Sequence, residues 1–252
     1  MLDFHTRPDE WGVLPYINIF ELNIGTYEIF VILGLVVGGL VFINLSKQQK
    51  RNYDNTVFIF GGAFVFGVIG AKLPIFIVMI PQIVKEPNNI MLYLSGRTVV
   101  GGLIGGMLGV LLVKKLLNIK EKRGNLIAPA VAVGIAIGRI GCYFRGCCYG
   151  VATKSLFGTD FGDGVLRHPT QLYEFVFHSA AFIIMMIIYK KVKTPGILFK
   201  IYAVSYFTYR FFSEFIRIEN KYLFNLSAYQ YASIAGIILL ILKDQMYKRG
   251  KI

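Results

Sequence analysis

The stretch Ile24-Gly-Thr-Tyr-Glu-Ile-Phe-Val-Ile-Leu-Gly-Leu-Val-Val-Gly-Gly-Leu-Val-Phe-Ile-Asn-Leu45 decides the fold class. From Ile29 to Ile43 it holds no ionisable residue, and a helix of this length crosses a hydrocarbon layer of about 30 Å. Comparable stretches recur at about Thr56 to Ile80, Thr98 to Leu117, Ile127 to Tyr143, Gln171 to Tyr189, Gly196 to Ile216 and Ala228 to Leu242. The mean hydropathy of +0.59 agrees. The expectation is an all-α membrane protein, a bundle of about seven transmembrane helices forming a single domain over residues 1–252.

A formal net charge of +13 would suggest nucleic acid in a soluble protein. Here the basic residues fall in alternate connections: Lys47, Lys50 and Arg51; Lys114, Lys115, Lys120, Lys122 and Arg123; Lys190, Lys191 and Lys193; Lys243, Lys248, Arg249 and Lys251. Basic connections mark the cytoplasmic side. The segment before Ile24 carries Asp3, Asp9, Glu10 and Glu21 against Arg7, so the amino terminus is expected outside and the carboxyl terminus in the cytoplasm. Met1 to Phe20 is polar and acidic, unlike a cleavable signal peptide. No nucleic-acid partner is expected. The connection from Tyr143 to Gln171 is the largest, and its glycines suggest a loop over the outer face.

Ionisable groups inside spans cost on the order of 3 kcal/mol each at a helix centre, so each needs a partner or water. The candidates are Lys72, Arg97, Arg139, Glu174, His178, Arg210, Glu214 and Arg217. Arg210, Glu214 and Arg217 stand at i, i+4 and i+7, on one helical face. Two arginines and one acid on a face suit an anionic ligand, with a structural ion-pair ladder as the alternative. Gln171, Glu174 and His178 repeat the spacing behind Arg167, His168 and Pro169, where proline starts a helix. A solitary His178 reads as a hydrogen-bonded core residue.

Gly101, Gly102, Gly105, Gly106 and Gly109, and again Gly134, Gly138 and Gly141, suit close helix packing. Gly138 and Gly141 flank Arg139, where missing side chains would also let a lipid head group approach. Cys142, Cys147 and Cys148 lack the usual metal-ligand spacing and no histidine cluster accompanies them. A disulfide from Cys142 to Cys147 or Cys148, metal binding and plain packing stay open.

Three segments together resemble a known family. Gly138-Arg-Ile-Gly-Cys-Tyr-Phe-Arg-Gly-Cys-Cys-Tyr-Gly150 is similar to the signature Gly-Arg-x-Gly-Asn-Phe-x-Asn-Gly-Glu-x-Tyr-Gly of the bacterial prolipoprotein diacylglyceryl transferases. Arg167-His-Pro-Thr-Gln-Leu-Tyr-Glu174 nearly repeats its Arg-His-Pro-Ser-Gln-Leu-Tyr-Glu, and Arg210-Phe-Phe-Ser-Glu-Phe-Ile-Arg217 its Arg-Phe-x-x-Glu-Phe-x-Arg. Tyr27, Gly70-Ala-Lys-Leu73 and Gly101-Gly-Leu-Ile-Gly105 also fall where the family has counterparts. The resemblance covers nearly the whole chain.

The resemblance implies transfer of the diacylglyceryl group from phosphatidylglycerol to the lipobox cysteine thiol of a preprolipoprotein, in the bacterial cytoplasmic membrane and without a cofactor or metal. It implies that Arg139 and Arg210 bind and stabilise the phosphate. Tyr27, Gly138, Gly141, Gly150, Gln171, Glu174, Glu214 and Arg217 would shape the substrate site. Arg139 and Arg210 are expected to approach each other across a lipid-accessible cavity, with Glu214 limiting their repulsion. The family's histidine before Gly-Gly-Leu-Ile-Gly is Val100 here, its two asparagines are Cys142 and Arg145, and its glutamate is Cys147. With Val100 unable to take a proton, His168 is the candidate replacement base. The alternatives are a divergent transferase with a different acceptor, using Cys142 as a covalent station, and a non-catalytic lipid-binding membrane protein.

Overall fold

A computed structural model describes residues 11–19, 22–49, 53–87, 99–119 and 123–248. Arg97 and the amino-terminal acids Asp3, Asp9, Glu10 and Glu21 lie outside the described residues, as does the side chain of Val100. In chain order the elements are strands β1 (Tyr16–Ile19) and β2 (Leu22–Gly25), then helices α1 (Thr26–Gln48), α2 (Tyr53–Lys85), α3 (Val99–Leu116) and α4 (Gly124–Phe144). Strands β3 (Thr159–Asp160) and β4 (Leu166–Arg167) lead to helices α5 (Thr170–Ile188), α6 (Ile197–Ser213) and α7 (Ala228–Lys248). Short 3-10 turns, Glu214–Ile216 and Leu223–Asn225, join α6 to α7.

The described residues form two compact units, one within residues 43–121 and one made of those before residue 43 together with those from 123 onward. In the first, α2 and α3 meet along glycines. A Cβ on Gly105 would lie 2.9 Å from the Gly70 Cα, and one on Gly109 would lie 2.8 Å from the Gly62 carbonyl carbon. Lipid offers no hydrophobic drive for helices to associate, so close backbone contact through small residues supplies the packing energy instead. The packing reading of this glycine cluster holds.

In the second unit the first part of α1 packs on α4 by the same means. A Cβ on Gly134 would approach the Gly34 carbonyl oxygen at 3.0 Å, and one on Gly38 that of Ala130 at 2.8 Å. The segment before α1 forms the antiparallel hairpin β1–β2, with Tyr16 opposite Gly25 and Ile19 opposite Leu22. It is tied down by the Gly12 amide donating to the Phe161 carbonyl at 2.8 Å and by Trp11 Nε1 donating to the Gly146 carbonyl at 2.8 Å.

Burial is inverted relative to a water-soluble fold. On α5 Gln171, Glu174 and His178 are inaccessible, whereas Val176, Ile183, Ile184 and Ile187 are each more than half exposed. Only a hydrocarbon solvent makes apolar-out, polar-in the lower-energy arrangement. Among the described residues four helical stretches are long and apolar enough to cross a membrane: Thr26–Gln48, Asn55–Leu73, Gly124–Phe144 and Thr170–Ile188.

Candidate functional site

Helix α5 begins at Thr170, just after Pro169, whose ring leaves no amide to satisfy at a helix entry. From there the 3.6-residue period places Gln171, Glu174 and His178 on one buried face. Gln171 Nε2 donates to the Cys147 carbonyl at 2.6 Å and Thr170 Oγ1 to the Cys148 carbonyl at 2.5 Å, so the entry turn of α5 clamps the loop that leaves α4. His178 Nδ1 pairs with the Tyr202 hydroxyl at 2.8 Å and its ring packs against Phe177 and Tyr206. That is the hydrogen-bonded core role expected for it.

Glu174 is the centre of the buried charge network. Its Oε2 meets Arg139 Nη2 at 2.5 Å, and its Oε1 meets Arg210 Nη1 at 2.8 Å and Arg217 Nη1 at 3.1 Å. Arg210 Nη2 also reaches Glu214 Oε1 at 2.6 Å, and Arg217 Nε lies 3.4 Å from that oxygen. The expectation that Glu214 would separate Arg139 from Arg210 is therefore corrected. Glu174 bridges those two, and Glu214 links Arg210 to Arg217. Arg217 also departs from the single-face reading, because the helix gives way to a 3-10 turn at Glu214 and Arg217 itself is extended, with φ −99° and ψ 152°.

Three guanidinium groups share two carboxylates in this network, which leaves one positive charge uncompensated. The side chains of Arg139 and Arg210 are 13% and 10% accessible, whereas Glu174 and Glu214 are fully covered. The surplus charge can thus be reached from outside, while the acids that hold the arginines in place cannot. Such a cluster attracts one anion and presents it with planar, forked donors. A hollow of about 660 Å³ runs along α6, lined by Val204, Ser205, Thr208, Tyr209, Phe212 and Ser213. It lies beside Arg210 in sequence but the arginine is not among its lining residues.

One supporting group was readable in the sequence and missed. Ser227-Ala-Tyr-Gln230 is a capping box: the Gln230 amide donates to Ser227 Oγ at 3.3 Å, and the Ser227 amide donates to Gln230 Oε1 at 2.8 Å. The same Ser227 hydroxyl donates to Glu214 Oε2 at 2.8 Å, so the start of α7 fixes the second carboxylate. The Tyr229 ring lies 4.8 Å below the Arg210 guanidinium.

The remaining expected residues surround this network. A Cβ on Gly141 would fall 2.7 Å from Phe30 Cβ and 3.2 Å from Tyr27 Cα, which makes Gly141 a packing position that seats Tyr27 on α4. At Gly138 a Cβ would meet nothing within 4 Å. Gly150 bridges to Arg217, and its amide donates to the His168 carbonyl at 2.8 Å. His168 is half-buried, with Nδ1 paired to the Tyr173 hydroxyl at 3.1 Å.

The loop between α4 and α5 is ordered by its own polar contacts. Asp160 Oδ1 accepts from the amides of Gly162, Asp163 and Gly164, and Arg167 forks onto Asp163 with both contacts at 2.6 Å. The hydrogen bond from Arg167 holds the exposed Asp163 carboxyl below its ordinary range. A depressed carboxylate stabilises the fold above the unfolded value of about 3.9 and stops doing so as pH falls through the lower folded value. The protection factors of the Gly162 to Val165 amides, exchange rates taken relative to the intrinsic rate at each pH, should therefore hold steady above about pH 5 and fall in acid below the ordinary aspartate range. Asp163→Asn should remove that acid step, and an unchanged step in the variant would assign it to another group.

Comparison with known proteins matches residues 15–243 to the model of the family described as prolipoprotein diacylglyceryl transferase. The chain belongs to this family. It is 30% identical over 230 residues, covering 88% of this chain and 92% of the relative, to the phosphatidylglycerol–prolipoprotein diacylglyceryl transferase of Clostridium tetani. It is 31% identical to the second such transferase of Clostridium perfringens, over 81% of this chain and 83% of that one. With the enzyme of Finegoldia magna it shares 29% over 92% and 94% of the two chains. The three charged positions of the network that bind Glu174, namely Arg139, Arg210 and Arg217, all lie within the matched residues.

Proposed function

We propose that the chain transfers the diacylglyceryl group of phosphatidylglycerol to the lipobox cysteine of a preprolipoprotein, at a site built on Arg139, Glu174 and Arg210. The observation that carries this reading is the family match over residues 15–243 together with the surplus positive charge held around Glu174. In the transfer the thiol sulfur bonds to the glycerol carbon that bears the phosphate, and the carbon–oxygen bond breaks. The electron pair leaves on glycerol phosphate, which gains one negative charge, and the thiol loses one proton. Arg139 and Arg210 meet the charge that develops on the leaving phosphate, and because Glu174 fixes them beforehand they need no reorganisation as it forms. Gly138 leaves room at the backbone beside Arg139 for the head group, while Tyr27 and Arg217 flank it. Gln171, Gly150 and Glu214 hold the loop and the arginines in register. The hollow along α6, lined by Val204, Thr208, Tyr209 and Phe212, offers the acyl chains an apolar bed on the same helix that carries Arg210.

The proton goes to His168 in this reading. In the tautomer whose Nδ1–H donates to the Tyr173 hydroxyl, Nε2 is the atom that accepts, and the residue sits two positions before Thr170, whose hydroxyl accepts from Arg217 Nη1 at 3.3 Å. A covalent station at Cys142 is disfavoured chemically, because a thioether carbon without an adjacent leaving group does not pass its substituent on. Transfer of label from glycerol-labelled phosphatidylglycerol to a lipobox peptide tests the function. His168→Ala should lower turnover about 10²-fold or more, within the usual range for losing a general base. Full turnover in His168→Ala would move the base elsewhere, and absence of peptide labelling by the unaltered protein would refute the lipobox acceptor.

We place this domain in the bacterial cytoplasmic membrane with about seven spans, the amino terminus outside and the basic connections in the cytoplasm. In that orientation the loop between α4 and α5 faces the outer leaflet, where a preprolipoprotein signal peptide emerges. Alkaline phosphatase fused after Lys251 should be inactive and a cytoplasmic fluorescent reporter there active. The reverse pattern would invert the site.

A further inference from the structure

The three cysteines converge in space although their spacing in the chain does not announce it. Cys142 is buried on the last turn of α4, Cys147 and Cys148 lie in the loop that follows, and their sulfur atoms are all within 4.8 Å of one another. All three are free thiols. Cys148 takes a left-handed φ of 64°, which a non-glycine residue adopts only against a steric cost and which brings two neighbouring side chains to the same point. The loop is held in that shape from outside by Gln171 on the Cys147 carbonyl and Thr170 on the Cys148 carbonyl. The Cys147 amide adds a bond to the Cys142 carbonyl at 3.1 Å, so the cluster is set by these outside clamps together with its own backbone.

We propose that Cys142, Cys147 and Cys148 form a three-sulfur site for a thiophilic monovalent metal ion, copper(I). An ion with metal–sulfur bonds of about 2.3 Å in a trigonal arrangement holds its sulfurs about 4 Å apart, which the observed cluster meets with small side-chain adjustment. A structural zinc takes four ligands, and among the described residues the group that could supply a metal contains these three sulfurs and no histidine, aspartate or glutamate. Soft thiolates favour copper(I) over harder ions. The charge balance agrees, since the ion displaces up to three thiol protons to solvent and leaves an anionic centre. Arg139 Nη1 stands 4.0 Å from Cys142 Sγ, at the edge of the network that carries a surplus positive charge. No electron is transferred when the ion enters as copper(I).

The full-length protein in detergent, reduced and kept anaerobic, is titrated with the coloured copper(I)–bicinchoninate complex. It should withdraw one equivalent of copper(I), and Cys142→Ser, Cys147→Ser and Cys148→Ser should each weaken retention at least tenfold while keeping the far-ultraviolet circular dichroism of the parent. X-ray absorption of the loaded protein should show three sulfur neighbours. As a measurement that needs no variant, iodoacetamide should modify the two part-exposed thiols, Cys147 and Cys148, before loading and neither after it. Retention that is the same in Cys147→Ser and Cys148→Ser as in the parent overturns the site. So does a chelator left fully coloured by the unaltered protein, or uptake of zinc(II) in preference to copper(I).

Discussion

Arg139→Lys should abolish most transfer while leaving the protein folded. Lysine keeps the positive charge, so it can still oppose Glu174, but it replaces a planar fork by a single point of charge. Arg139 meets Glu174 through Nη2 at 2.5 Å, and 13% of its side chain stays accessible, so a phosphate can meet the guanidinium while Glu174 holds it. Losing one preorganised donor to a developing anion lowers turnover by about 10² to 10³. The check is initial rates with labelled phosphatidylglycerol and a lipobox peptide, with far-ultraviolet circular dichroism as the control on folding. Turnover of Arg139→Lys within threefold of the parent would mean that the phosphate is held elsewhere, and the buried network would then be a structural ladder.

The second large effect is expected at Glu174. Glutamine there is nearly isosteric but removes the charge that three arginines share, so the local balance passes from three cations and two anions to three cations and one. Breaking a buried pair by removing one partner costs about 3–5 kcal/mol, because the other charge stays desolvated and uncompensated. Glu174→Gln should therefore lower the apparent melting temperature in detergent and abolish transfer. Adding Arg139→Gln should restore part of the stability, since the charge excess shrinks, yet none of the activity. This split separates two roles: the acid is needed to assemble the site and the arginine to work in it. A Glu174→Gln protein as stable as the parent would show that the three contacts to this carboxylate contribute little.

Much of the site was legible because the residues that carry it are unusual for their surroundings. A charge in a hydrocarbon-length helix is costly, so Arg139, Glu174, Arg210, Glu214 and Arg217 stood out without any geometry, and the motifs around them pointed to the family that the comparisons then showed. The pairing among them was not legible. Helical spacing links Arg210 to Glu214 on one element, but Glu174 comes from α5 and Arg139 from α4, and no local rule relates positions so far apart in the chain. That is why the sequence assigned to Glu214 a bridge that Glu174 makes. The capping box at Ser227 was readable, but that its hydroxyl would reach Glu214 was not.

What the sequence determined by itself is the set of strongly patterned features. Apolar runs set which segments are helical, because a backbone in hydrocarbon must satisfy its own hydrogen bonds. Glycines at four-residue spacing marked where helices approach closely, and misplaced charges marked the site. What only the tertiary structure decided is which distant groups meet. Arg139 from α4, Glu174 from α5, and Arg210 from α6 with the nearby Arg217 form one buried network, and Cys142 lies beside Cys147 and Cys148. Such meetings depend on how helices pack and where a loop is clamped. Those are energies of many small contacts summed over separate elements, so no short stretch of the chain encodes them.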